Sequence, residues 1–296
     1  MRARFLRIAV PVAAILAVAV VLRLRTVRPT GSQEPPARDQ PAAPKTSFRI
    51  ATYNINFANR DLSLVVDAIL ESDADIVAVQ ETTPESESYL RAQLESTYAH
   101  AAFHGFTGEY YAERFGFLSK HPIVSAEYIE PEHGVFGVQI GVFEIDGHQV
   151  QVANLHLQPL ALSPRTGPVA FLKAIGKAEK VHGVEIEAIH GSLAQDVPTV
   201  VLGDFNSLAL FKAPLFLQRN GFADSFASAN DDANNHATWE WQTRYGKISG
   251  RLDYIFHDAS FRTRTSRIIR NNSSDHFLLV SELQFANLSD QRALDP

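Results

Sequence analysis

From about residue 48 the apolar positions of this chain switch repeatedly between a period of two and a helical period. Phe48-Arg49-Ile50-Ala51-Thr52-Tyr53 alternates as a half-buried strand and stops at Asn54. Leu62, Val65, Val66, Ile69 and Leu70 then recur at helical spacing, and Ile76 to Gln80 forms a short buried strand that ends on Glu81. Residues 86–94 read as a second helix. Residues 115–118, 123–129, 135–145 and 150–157 read as strands, with Asp146-Gly147 as a hairpin signal. The longest helical pattern covers 168–194. Thr199 to Leu202 is β-branched or apolar, introduced by Pro198 and stopped by Gly203. A helix is expected after Asn206 as far as Asn220, followed by strands near Thr238, at 252–256 and at 277–283. Helices and strands mix, and antiparallel hairpins fill the middle, so the pattern predicts an α+β domain over residues 48–296 rather than a strict βαβ alternation.

The first 47 residues follow another pattern. Met1-Arg2-Ala3-Arg4 is a basic opening, Ile8 to Leu22 is continuously apolar, and Arg7 and Arg23 bracket that run. Residues 1–28 are therefore expected to be a membrane anchor that leaves the catalytic domain outside the cytoplasm. Read instead with Ala17-Val18-Ala19 as a cleavage site, they are a signal segment, and the protein is secreted. Arginines flank the run on both sides and give no orientation. Residues 29–47, rich in Pro, Ala and polar residues, read as a flexible linker.

Charge and cysteine content narrow the chemistry. Residues 1–45 hold eight Lys/Arg and two Asp/Glu, so the net charge of −6 for the whole chain leaves −12 on the rest. A domain that acidic is not built to hold nucleic acid on a broad basic face, whereas clustered carboxylates suit bound divalent cations. Cysteine is absent, which excludes disulfides, a thiol nucleophile and a cysteine zinc site.

Polar residues collect where strands end. Asn54 and Glu81 each follow a strand, and His156 closes the run Gln151 to Leu155. Asp204 and Asn206 follow another strand, two apart, with Phe205 turned to the opposite side. Asp253 sits inside Arg251-Leu252-Asp253-Tyr254-Ile255-Phe256, and Asp275-His276 precedes the last strand. Each alone fits an ordinary turn, cap or hydrogen-bonded core residue. Together they suit phosphate chemistry at a sheet edge, where ligands usually sit.

The set Tyr53-Asn54-Ile55, Gln80-Glu81-Thr82, Asn154-Leu155-His156-Leu157, Gly203-Asp204-Phe205-Asn206-Ser207, Arg251 to Phe256 and Ser274-Asp275-His276 resembles the endonuclease/exonuclease/phosphatase superfamily, in the family's order and over residues 48 to about 285. The resemblance implies a four-layer α/β/β/α sandwich of two packed, mostly antiparallel sheets flanked by helices. It also implies a divalent-metal phosphoester hydrolase that uses Mg²⁺, with Mn²⁺ as a substitute. Glu81 would be the principal metal ligand, with Asn54 beside it and Asp275 nearby. Asp204 and Asn206 would orient or deprotonate the attacking water and hold the phosphate. His276, oriented by Asp253, would contact the phosphate or act as base, and His156 would protonate the leaving group, or act on the opposite side in the reverse assignment. A resemblance of Tyr111 to Leu118 to pancreatic-type deoxyribonucleases nominates Glu113 as the carboxylate that orients His156.

The substrate stays open between a nucleic acid, a lipid headgroup and a small phosphate ester. Thr83 stands where those nucleases place an arginine in the minor groove. Arg251, Arg262, Arg264, Arg267 and Arg270 offer either a basic strip near the site or the charged edge of a sheet. Trp239 and Trp241 offer a base-stacking or membrane-touching surface, or simple packing. A nuclease-like phosphodiesterase is the first expectation. A sphingomyelinase-like lipid or inositol-phosphate phosphodiesterase or phosphatase is the second, and a non-catalytic membrane-tethered binding protein the third. The expected partners are the phosphate-ester substrate and, through the N-terminal helix, a membrane. The oligomeric state is not read from the sequence.

Overall fold

A computed structural model describes residues 47–104, 114–160, 168–243 and 246–286. The first sheet contains β1 (Ser47–Asn54), β2 (Ile76–Gln80), β3 (His100–His104), β4 (Phe115–Ser119), β13 (Phe261–Ile269) and β14 (Leu278–Phe285), in the order β13-β14-β1-β2-β4-β3. The second contains β5 (Ile123–Ile129), β6 (Val138–Ile145), β7 (His148–His156), β8 (Thr199–Asp204), β9 (Ala223–Asp224) and β12 (Asp253–His257), in the order β5-β6-β7-β8-β12-β9. Only β1 with β2 and β7 with β8 are parallel pairs; every other pair within the two sheets is antiparallel. A separate hairpin, β10 (Trp239–Thr243) with β11 (Gly246–Gly250), stands beside them.

Strand periodicity builds the layers. On β2, Ile76 and Ala78 enter one apolar cluster while Val77 and Val79 enter another. On β8, Val200 and Leu202 face one cluster and Val201 the opposite one. The first cluster joins the two sheets through Ile50, Phe117, Phe143, Val152 and Ile255. The second joins the first sheet to α1 (Leu62–Ser72) and α2 (Pro84–Leu94) through Val65, Ile69, Leu90 and Leu94. The third joins the second sheet to α3 (Pro168–Gly191) and α4 (Lys212–Arg219) through Ile186, Ile189, Ala213 and Leu217. Three apolar interfaces make four layers, the expected α/β/β/α sandwich. A short helix, α5 (Ser225–Ala229), packs against β13 and β12 and puts Phe226 into the cluster between the sheets.

The differences from the sequence pattern have local causes. Strand β3 went unread because His-Ala-Ala-Phe-His has no alternation, and all its residues are half-buried. The helix expected directly after Asn206 starts only at Lys212, because residues 205–211 form the loop that carries site residues. The arginines divide. Arg262, Arg264 and Arg267 lie on β13, the edge strand of the first sheet. Arg251 is buried, paired with Asp224 at 2.7 Å and stacked 4.4 Å above the Tyr254 ring. Arg270 contacts Glu240 and lies over Phe277. They form no continuous basic strip.

The expected membrane anchoring and extracytoplasmic placement need correction. Among the described residues no helix is long and apolar enough to cross a membrane. Residues 1–28 and 29–47, on which that expectation rested, lie outside the described residues apart from Ser47.

Candidate active site

Register aligns the polar strand ends. In the second sheet Asp204 is paired with His156 on the parallel neighbour β7 and with Asp253 on the antiparallel neighbour β12, so these residues stand in one row across adjacent strands. In the first sheet Asn54 is paired with Gln80, which places Asn54 beside Glu81. Asp275 and His276 arrive at the same end, one strand over, just before β14. The row from one sheet meets the group from the other where the inter-sheet core stops.

Two sets of hydrogen bonds join them. The Asn54 amide nitrogen donates to Glu81 Oε1 at 2.9 Å and to Asp204 Oδ2 at 3.0 Å. His276 Nδ1 lies 2.9 and 3.2 Å from the Asp253 carboxylate oxygens, and its Nε2 lies 3.5 Å from Asp204 Oδ2. His156 Nε2 approaches the same Asp204 oxygen at 3.5 Å and Glu81 Oε1 at 3.9 Å. Asp204 therefore stands between two imidazoles. Phe136 stacks on the His156 ring at 4.2 Å and fixes its plane.

Burial sets the electrostatics. Asn54, His156, Asp204, Asp253 and His276 are all buried. Burial raises the pKa of Asp204, and Asp253 adds to this, while His276 and His156 oppose it. Burial likewise raises Glu81, against the Asn54 amide, His276 and the Phe57 N–H, with Asp275 reinforcing the rise. His276 runs the other way. Burial disfavours its charged form, but Asp253, Asp204 and Asp275 overcome that and lift its pKa to about 10. Its ring is an imidazolium at neutral pH.

Backbone geometry aims these groups. Glu81 has φ of 57°, a left-handed conformation costing a non-glycine residue about 1–2 kcal/mol. The cost is borne where the chain must turn a carboxylate across the strand end. Asn206, with φ of 48°, donates its N–H to Asp204 Oδ1 and its side-chain amide to the Leu157 carbonyl. Gly203, with φ of 140°, lies so close to β7 that a Cβ would meet the Leu155 carbonyl oxygen at 1.9 Å. The loop bearing Asp275 is tied down by Tyr53, which bonds Asn271 and the Ser273 hydroxyl, and by Ser274, which donates to the Asn54 carbonyl.

The structure thus brings Asn54, Glu81, His156, Asp204, Asn206, Asp253, Asp275 and His276 to one end of the sandwich. Glu113 lies outside the described residues. Asn54 turns its side-chain oxygen to the Asn56 N–H and its nitrogen to the two carboxylates, so it acts here as a bridge between them. Thr83 caps α2, accepting from Ser86 N. Three neighbours were not singled out from the sequence for these contacts. Asn56 donates to Asp275 Oδ1 at 2.8 Å, the Trp239 indole donates to Asp275 Oδ2 at 3.1 Å, and Phe136 backs His156. The only advance signal was Asn56 two residues after Asn54, a spacing that favours a local turn.

Oxygen donors dominate the site. Among the described residues no Lys or Arg is paired with Glu81, Asp204, Asp253 or Asp275, so only the imidazoles offset these carboxylates. That donor set fits a hard divalent cation. Asp204, Asp253 and His276 also offer ligand atoms within 4.8 Å of one another. Within that trio, however, His276 directs both ring nitrogens at carboxylates and needs both protons, which makes it a poor ligand. Glu81, with Asp275 near enough to raise its pKa, is the better-suited place for an ion.

A family model described as endonuclease/exonuclease/phosphatase family matches residues 51–276. Solved structures share the architecture. An endonuclease/exonuclease/phosphatase from Beutenbergia cavernae DSM 12333 has 17% identity over 81% of this chain and 72% of its own, with a TM-score of 0.63. TDP2 from C. elegans has 16% identity over 81% and 75%, with a TM-score of 0.62. The human nocturnin catalytic domain with bound sulfate anion has 17% identity over 81% and 95%, with a TM-score of 0.61. At these identities the likeness is one of fold. No curated protein matches the sequence.

Proposed function

The chain belongs to the endonuclease/exonuclease/phosphatase family, and from that premise we propose that it is a Mg²⁺-dependent phosphoester hydrolase, a nuclease-like phosphodiesterase. The observation that carries this reading is the placement of Asp204 Oδ2 at 3.5 Å from both His156 Nε2 and His276 Nε2. A carboxylate between two imidazoles, one of them held charged by Asp253, supplies a base, an anion-binding cation and an acid within one hydrolytic step.

The roles follow from the environments. Asp204, fully buried with a raised pKa, takes a proton from the attacking water. Asn206 holds that water or a phosphoryl oxygen and keeps Asp204 oriented through its backbone N–H. His276, charged because Asp253 and Asp204 face it, binds the developing negative charge on phosphorus-bound oxygens. His156, on the other side of Asp204, delivers a proton to the ester oxygen as its bond to phosphorus breaks. A divalent cation held by Glu81, with Asp275 and Asn54 beside it, would neutralise the phosphoryl oxygens when bound. Water thus adds across the P–O bond, with the proton lost to Asp204 balanced by the one given up by His156.

The test is Mg²⁺-dependent turnover by the purified protein on bis(p-nitrophenyl) phosphate, p-nitrophenyl phosphate, plasmid DNA and sphingomyelin, with Asp204→Ala alongside. Diester cleavage that EDTA removes and Asp204→Ala lowers by at least about 10²-fold is expected. Turnover unchanged by the substitution, or absent on every substrate with every divalent ion, would sink the reading. Faster cleavage of sphingomyelin than of DNA would move the substrate class to lipids.

A further inference from the structure

Behind the site, the inner face of α3 presents Glu179, His182 and Glu185 at intervals of three residues, and His182 and Glu185 are buried. None of them reaches the row of Asp204, yet each grips the chain where a site strand ends. His182 Nε2 lies 2.7 Å from the Gln158 carbonyl oxygen, and Nδ1 lies 2.9 Å from Glu179 Oε1. The Glu185 carboxylate accepts the Gln158 N–H at 3.1 and 3.2 Å. Both polar groups of one peptide residue, two positions after His156, are thus held from the same helix. Glu179 also accepts from the Ser207 hydroxyl at 2.7 Å and from Lys212 N at 2.8 Å, which fixes the loop that follows Asn206.

The two gripped segments are stitched to one another. Leu157 N donates to the Asp204 carbonyl, and the Asn206 side chain donates to the Leu157 carbonyl. A third segment leans on the same group: a Cβ on Gly134 would fall 1.8 Å from Glu185 Oε1, so the turn leading to Phe136, the ring stacked on His156, rests against that carboxylate. Burying ionisable side chains at a helix–sheet contact is costly compared with apolar packing. Here His182 and Glu185 are spent on the backbone of Gln158, and Glu179 on the Ser207 hydroxyl and the Lys212 N–H. His182, whose two ring nitrogens both face acceptors, must carry two protons to make both bonds.

We propose that Glu179, His182 and Glu185 are positioning residues for hydrolysis, clamping the exits of β7 and β8 so that His156 and Asp204 keep their mutual distance. The kinetic part of this proposal rests on the hydrolase reading; the geometric part stands apart from it. Misplacement by about 1 Å costs on the order of 10²-fold in rate, so a clamp of this kind acts on kcat.

The experiment compares the wild type with His182→Ala, Glu185→Ala, Glu185→Gln and the exposed control Glu187→Gln, all as full chains. Amide hydrogen exchange is followed at residues 156–160 and 204–208, and kcat and KM are measured on bis(p-nitrophenyl) phosphate with Mg²⁺. In His182→Ala and Glu185→Ala, exchange should quicken about tenfold at those two segments and not across the sheets. In the same variants kcat should fall about 10–100-fold with KM within about threefold. Glu185→Gln keeps an acceptor for the Gln158 N–H and should restore protection and kcat, and Glu187→Gln should match the wild type. Unchanged exchange at both segments, a uniform rise across the whole domain, or no rescue by glutamine overturns the proposal. If the wild type itself shows no turnover, the hydrolase reading falls and the exchange arm still decides the clamp. If His182→Ala does not fold, the Glu185 pair gives the same decision.

Discussion

Replacing Asp253 by Asn separates the charge on His276 from its position. The Asp253 carboxylate is wholly buried and lies 2.9 and 3.2 Å from His276 Nδ1. Burial by itself pulls the imidazole toward neutrality, and the facing carboxylates lift its pKa to about 10. The wild-type ring therefore keeps its proton through neutral pH, and the contribution of that charge is lost only as pH rises through about 10. Asparagine preserves shape and removes the nearest of the three carboxylates that lift the ring, so its pKa should fall below the wild-type value, with Asp204 and Asp275 still opposing burial. A hydrogen bond to a charged group contributes about 1.5–3 kcal/mol. Expressed in the transition state, that loss is about a 10–100-fold fall in kcat at pH 7.5. The assay pairs kcat against pH on bis(p-nitrophenyl) phosphate with an imidazole NMR titration of the metal-free protein. In Asp253→Asn the decline in rate at high pH should begin at a lower pH than in the wild type. A His276 that still titrates near 10, or a kcat within about twofold of wild type, would refute the assignment of a charged role to this ring.

Gly203→Ala should cost more than about 3 kcal/mol in urea denaturation, since the new methyl meets the Leu155 carbonyl at a φ of 140°; Gly176→Ala, within α3 and with open space around it, should instead stabilise by about 0.5–1 kcal/mol. Glu185 is an acid whose folded pKa burial raises to about 7, so its share of stability is whole below about pH 4.5 and is lost as pH climbs through 7. Glu185→Gln should flatten that fall, worth up to about 3 kcal/mol, and an unaltered pH dependence of the melting temperature would contradict the raised pKa. Asn154→Ala should lower stability by about 2–4 kcal/mol, because Gln80 Nε2 and the Val79 and Gly116 carbonyls all lose their Asn154 partner in the buried interface. Saturating Mg²⁺ should raise the melting temperature of the wild type and do so less in Glu81→Ala, the gap measuring the ion's preference for the folded state.

Much of this was legible because strand periodicity and strand ends are local features. Alternation in Phe48 to Tyr53 and the apolar runs before Glu81 and Asp204 locate strands and place polar residues at their ends. Which strands are neighbours is not local. The row His156–Asp204–Asp253 exists only because β8 lies between β7 and β12, a pairing set by register over 48 and 49 residues of sequence separation. The contact of Trp239 with Asp275 depends on where the hairpin β10–β11 docks, and the period of an isolated hairpin carries no such information. The α3 residues were hidden for a further reason. Glu179, His182 and Glu185 occupy a helical stripe whose polarity marks it, on pattern alone, as solvent-facing, and burial against Gln158 and Ser207 reverses that reading.

The division of the site between two sheets has its own consequence for catalysis. Asn54, Glu81, Asp275 and His276 belong to the first sheet, and His156, Asp204 and Asp253 to the second. The His276 imidazole and the Asp253 carboxylate that faces its Nδ1 thus come from different sheets. The spacing between His276 and Asp253 is therefore set by how the sheets pack, and the inter-sheet core of Phe117, Phe143, Val152 and Leu279 helps to hold it. Near the site end of that core the apolar filling gives way to Gln80 and Asn154, whose side chains meet at 2.7 Å and fix the gap by hydrogen bonding. A dispersion contact tolerates sliding, whereas a buried amide pair does not, since each partner left unmatched costs about 1–3 kcal/mol. Directional bonds are placed beside the site, where small changes in sheet separation would change the distance from Asp204 and Asp253 to His276, and apolar contacts are placed farther away, where such changes matter less.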